Sequence, residues 1–97
     1  MEKFALFARV EAKPGKEDAV EQFLKSALPL AEDEKETISW YALKLGPSTF
    51  GIFDTFNEES GREAHLNGKI AAALMQHADE LLAKPPVIEK VELLALK

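Results

Sequence analysis

His65 is the residue in this chain best suited to acid–base chemistry, because an imidazole titrates near neutral pH and can take or give a proton. It lies in the stretch Asn57-Glu58-Glu59-Ser60-Gly61-Arg62-Glu63-Ala64-His65-Leu66-Asn67, which follows directly on the aromatic run Thr49-Phe50-Gly51-Ile52-Phe53-Asp54-Thr55-Phe56. Asp54 is a carboxylate in an otherwise apolar run and has two readings. Buried beside His65 it would orient the imidazole; at a strand end it would bond instead to the backbone of the following turn. Trp40 and Tyr41 are adjacent, so in a strand they face opposite sides and only one can line a cavity on the helix side. Phe56 is a further aromatic wall. His77, Arg9 and Arg62 read as structural or solvated by default.

Other chemistries lack their residues. The chain has no cysteine, which removes disulfides, thiolate nucleophiles and cysteine-based zinc sites. No phosphate-cradling glycine loop, HExxH pair or serine nucleophile motif occurs. The acids Glu32, Asp33, Glu34 and Glu36 lack the spacing of a calcium loop and read as a solvated connection. No metal and no cofactor is expected.

The elements that must position these residues follow from periodicity. Lys3 to Glu11 alternates, with Phe4, Leu6, Ala8 and Val10 on one face, as a strand does. Lys13-Pro14-Gly15-Lys16 is a turn. A helix follows, with Val20, Phe23, Leu24, Ala27 and Ala31 at three- and four-residue spacing, and Pro29 kinks or ends it. Thr37 to Leu45 and Thr49 to Phe56 form a hairpin across Gly46-Pro47-Ser48. Gly51 marks a bulge or a close backbone approach. Asn57 caps a short helix reaching about Asn67. A longer helix runs from Lys69 to about Ala83, with Ile70, Leu74, Ala78 and Leu81 as its buried stripe. Lys84-Pro85-Pro86 stops it, and Val87 to Leu96 is the fourth strand.

The order β-α-β-β-α-β is the ferredoxin-like arrangement, an α+β fold with one four-stranded antiparallel sheet and helices on one face. A chain of 97 residues makes this a single domain over 1–97. The opposite sheet face carries too much apolar surface to stay wet, which predicts a homodimer through the sheet faces. Seventeen acidic against twelve basic residues give a net charge of −5, which disfavours nucleic acid as a partner. No apolar run is long enough for a membrane span, and Met1-Glu2-Lys3-Phe4 enters a strand without a signal-peptide pattern. The expected location is cytoplasmic.

Together these residues resemble the antibiotic biosynthesis monooxygenase family, dimeric α+β barrels that include cofactor-independent quinol monooxygenases. The resemblance rests on Ala12-Lys13-Pro14-Gly15-Lys16 after the first strand, Tyr41 in the second, Asp54-Thr55-Phe56 closing the third, and Ala64-His65-Leu66 on the helix. Many members have Glu-x-Trp where Asp54-Thr55-Phe56 stands, and Gly-Cys ahead of the second-strand tyrosine. The haem-degrading branch fits worse: Ala8, His65 and Met75 stand where its asparagine, tryptophan and iron-ligating histidine would be. The resemblance implies a small aromatic quinol or phenol bound between the sheet and the second helix, with His65 as catalytic base and Trp40, Tyr41, Asp54 and Phe56 around the substrate. The alternative is a non-catalytic dimeric barrel that binds a small ligand or serves a stress response.

Overall fold

The computed structural model describes residues 2–97; Met1 lies outside the described residues. The elements run β1 (Phe4–Glu11), α1 (Glu17–Ser26), α2 (Leu28–Glu32), β2 (Thr37–Lys44), β3 (Thr49–Phe56), α3 (Glu59–Leu66), α4 (Lys69–Leu81) and β4 (Val87–Glu92). The four strands make one antiparallel sheet in the order β2-β3-β1-β4. This is the ferredoxin-like arrangement expected from the sequence, with the first predicted helix divided in two at Ala27 and the second half carrying the expected short and long helices. No helix among the described residues is long and apolar enough to cross a membrane.

Register explains which face each side chain joins. Val10, Ala8, Leu6 and Phe4 of β1 lie opposite Phe50, Ile52, Asp54 and Phe56 of β3. These even-numbered positions face the helices, where Val20 and Leu24 of α1, Ala31 of α2 and Ile70 and Leu74 of α4 complete the core. Pro29 does not merely end a helix. The chain pauses at Ala27 and restarts, with the proline in the first turn of α2, where its missing N–H costs nothing.

The odd-numbered positions form the other face. Tyr41, Phe53 and Phe7 lie side by side across β2, β3 and β1, and Tyr41 is 54% exposed. Gly51 proves to be a close approach: a Cβ there would lie 3.0 Å from the Ala8 carbonyl oxygen and 3.3 Å from the Phe7 ring. The bulge is on β2 instead, where Thr37 pairs with Phe56 but Ser39 pairs with Thr55, leaving Ile38 as the extra residue.

Three expectations are corrected. The helix cap is Glu58, with extended backbone and no side-chain capping bond, not Asn57. β4 ends at Glu92 rather than Leu96, because Glu92 lies opposite Phe4, the first residue of β1, and the Leu93 N–H makes the last bond, to the Lys3 carbonyl. Arg62 is buried, not solvated. It donates to the carbonyls of Ala5 and Val91, pairs with Glu59 and lies 5.2 Å from the Phe4 ring centre. It therefore fastens α3 to the β1–β4 side of the sheet.

Candidate functional site

β3 delivers Asp54 into the interior, where it is 1% exposed. α3 begins three residues after β3 ends and turns His65 back over the same strand, so the imidazole Nε2 meets Asp54 Oδ2 at 2.8 Å. The ring also packs on Phe56, with centres 5.5 Å apart. Asp54 therefore lies against His65 rather than bonding to the following turn. The second imidazole nitrogen, Nδ1, meets Glu34 Oε1 at 2.6 Å. Glu34 is therefore not part of a solvated connection: the segment between α2 and β2 folds onto α3 and ends on His65.

Two features make that docking possible. Thr37 Oγ1 donates to Glu34 Oε1 at 2.7 Å, holding the carboxylate in place. Gly61 and Gly68 clear the approach, since a Cβ at Gly61 would lie 3.0 Å from Glu36 Cβ and one at Gly68 would lie 3.4 Å from Glu34 Oε2. In sequence these glycines look like weak points of a helix; in the fold they are the surface on which the Asp33–Glu36 segment rests.

Electrostatics fix the state of the chain Asp54–His65–Glu34. Burial works against the charged imidazole, but the hydrogen bonds and charges of Asp54 and Glu34 outweigh it and hold the His65 pKa at about 9. The last turn of α3 adds to this, because a cation is favoured at a helix C-terminus. Burial pushes the Asp54 carboxyl up, while the imidazolium pulls it back down. At neutral pH both His65 nitrogens carry protons: Nδ1 donates to Glu34, and Nε2 is ion-paired with Asp54. His65 is a fixed cation, and the pocket-side acceptor is Glu34, whose Oε2 has no hydrogen-bond partner among the described residues.

His65 and Glu34 line a cleft of about 320 Å³, open to the surface, between the Asp33–Thr37 segment on one wall and Gly61, Ala64, Gly68 and Lys69 on the other. This volume is at the small end of ligand pockets, roughly 300–1,000 Å³. The space expected between sheet and α4 is filled instead. The gap there, beside Val10, Phe23 and Leu74, is about 10 Å³, at the lower limit of what one water needs, roughly 10–15 Å³.

The expected site residues divide accordingly. Asp54, Phe56 and His65 meet. Trp40 faces the helices beside Asp54 across β2 and β3, and packs against the core rather than on the cleft. Tyr41 belongs to the opposite face. His77 packs edge-on against Phe23, 5.7 Å between ring centres, in a structural role. The residue the sequence did not single out is Glu34; its only sequence signal is Thr37 three positions later, a spacing that gives a carboxylate and a hydroxyl a shared turn.

The whole of this chain superposes on a crystal structure of a protein of unknown function from Nitrosomonas europaea, with TM-score 0.98 and 66% identity, covering 94% of that chain. Another Nitrosomonas europaea structure, named as a candidate antibiotic biosynthesis monooxygenase, matches 95% of this chain and 90% of its own at TM-score 0.83 and 13% identity. A structure named antibiotic biosynthesis monooxygenase matches 95% of this chain and 99% of its own, at TM-score 0.79 and 11% identity. At such identities the likeness to these two shows a shared fold. No protein-family profile and no curated protein sequence matches the chain.

Proposed function

The chain belongs to the same family as the Nitrosomonas europaea protein of unknown function, and on that premise we propose that it is a cofactor-free monooxygenase of a small quinol or phenol, of the antibiotic biosynthesis monooxygenase kind. The observation that carries this reading is the Asp54–His65–Glu34 chain on the wall of an open cleft. Ionisable groups desolvated and shifted in this way gather at functional sites. The shared fold with proteins of that name supports the class of reaction.

In the proposed reaction Glu34 Oε2 takes the proton of the bound hydroxyl, and the imidazolium of His65 stabilises the phenolate that results. The electron-rich ring then reacts with dioxygen. One oxygen atom enters the ring and the other leaves as water, so a quinol ends as a hydroxyquinone and supplies all the electrons itself. Oxygen uptake with a panel of quinols tests this. Uptake no faster than in buffer rejects the enzyme, and full activity in Glu34→Gln rejects the role given to Glu34.

A second reading, a non-catalytic dimeric barrel that binds a small ligand, is favoured by the filled space between sheet and α4. Ligand binding in the cleft without oxygen uptake would select it.

We also propose that the chain works as a homodimer joined through its outer sheet faces. The aromatic row Tyr41–Phe53–Phe7 supplies the apolar centre of such an interface. The accessible surface, 6114 Å², exceeds by roughly 600 Å² the value of about 5,500 Å² expected for a compact monomer of this mass.

A further inference from the structure

Glu34 and Asp54 hold the two sides of one imidazole, yet they are held very differently. Asp54 is on the central part of β3, buried beneath the ring it serves, and cannot leave without unfolding the sheet. Glu34 lies in the irregular segment between the five-residue α2 and β2, with a side chain 21% exposed. Besides His65 its carboxylate has one partner, Thr37, on the same segment. A route from Nδ1 to solvent is therefore open to Glu34 and closed to Asp54.

We propose that Glu34 occupies the seat of the ligand: the cleft takes an aromatic anion, a phenolate or an aryl carboxylate, whose oxygen replaces Glu34 Oε1 on Nδ1 of His65. The exchange trades one carboxylate-type acceptor for another, so the imidazolium keeps an anion on each side and the charge on buried Asp54 stays compensated. A neutral acceptor at Nδ1 would not do this. Gly61 and Gly68 flank His65 on the cleft wall, and the space beside Gly68 that Glu34 Oε2 now fills would pass to a flat ring as Glu34 leaves. Lys69 on the same wall and Lys35 on the opposite one offset the acids Asp33 and Glu36, so the cleft does not repel an anion.

This inference rests on the proposed function and deepens it. When a hydroxyl passes its proton to Glu34, the neutral carboxyl loses its hold on the imidazolium as the phenolate gains one. The proton moves from substrate oxygen to Glu34, and the negative charge moves the other way.

Benzoate tests the exchange without any oxygenation, with neutral benzamide as the control. Binding is followed by the ring nitrogen resonances of His65 in labelled full-length protein. Benzoate is expected to shift Nδ1 in the wild type and to bind Glu34→Gln about tenfold tighter, because the charged competitor is gone. Benzamide should gain nothing. Thr37→Val, which frees Glu34 from its second hold, should move benzoate affinity in the same direction by a smaller factor, and serves where Glu34→Gln does not fold. No benzoate binding to any of these proteins, an unchanged or weaker affinity in the variants, or an equal gain for benzamide overturns the proposal. Quinol turnover without the benzoate effect rejects only the exchange, and the benzoate effect without turnover rejects only the oxygenase.

Discussion

Raising the pH above neutrality should unfasten this fold at one identifiable place. The His65 pKa is about 9 in the folded protein against an ordinary imidazole value of 6.5. A folded-state pKa above the unfolded one stabilises fully below the lower value, so the contribution of His65 is complete at pH 6 and is lost as pH rises through about 9. The difference between the two values, at about 1.4 kcal/mol per pH unit, corresponds to about 3 kcal/mol. For a domain of this size that is a large part of a total of about 5–15 kcal/mol. Urea unfolding of the wild type and of His65→Gln at pH 6, 7.5, 9 and 10 measures it. The wild type should be clearly more stable at pH 6, and the difference between the two proteins should shrink by about 3 kcal/mol by pH 10. Taking the difference cancels every other group that titrates in that range. A constant difference across the series, or an equal loss in both proteins, would refute the assignment of a doubly paired imidazolium.

Other substitutions probe the scaffold. Gly61→Ala gains about 1 kcal/mol in helix propensity yet sets a methyl 3.0 Å from Glu36 Cβ; we expect a net loss of about 1 kcal/mol in urea unfolding, and a gain would show that the Asp33–Glu36 segment yields freely. Phe56→Ala empties a position 0% exposed beneath the His65 ring and should cost about 3–5 kcal/mol, read from the thermal midpoint. Tyr41→Lys places a charge at the centre of the outer aromatic row and should convert a dimer into a folded monomer in sedimentation; an unchanged species would place the interface elsewhere.

The sequence announced β3 and the α3 corner clearly because both carry strong local signals: Phe50, Ile52 and Phe56 at even positions, then first-turn acids and a histidine. It left Asp54 with two readings, a place beside His65 or a bond to the following turn, because alternation alone does not say how far α3 folds back over β3. Glu34 carried no such signal. A glutamate in a charged stretch looks the same whether it meets solvent or an imidazolium 31 positions further along, and only the path of α2 and β2 decides between them. Arg62 was hidden likewise, because its partners are backbone carbonyls on β1 and β4. The end of β4 depended on where its neighbour begins: alternation continues through Leu94 and Leu96, but no strand remains beside them to pair.

The extra residue in β2 has a consequence for how this family can vary. Thr37 and Ser39 are two apart and in an unbroken strand would share a face. With Ile38 inserted, Thr37 lies opposite Phe56 on the helix side while Ser39 lies opposite Thr55 on the other. The hydroxyl that steadies Glu34 thus faces the helices because Ile38 is left out of the ladder. Deleting Ile38 alone would set Thr37 directly before Ser39, so plain alternation would keep Thr37 opposite Phe56 on the helix side and leave the pairing of Tyr41 with Phe53 and everything beyond it in place. A relative that lacked this residue would hold its loop carboxylate with the same hydroxyl and no bulge, whereas one that paired Ile38 into a regular ladder would turn Thr37 to the outer face and leave the carboxylate loosely held.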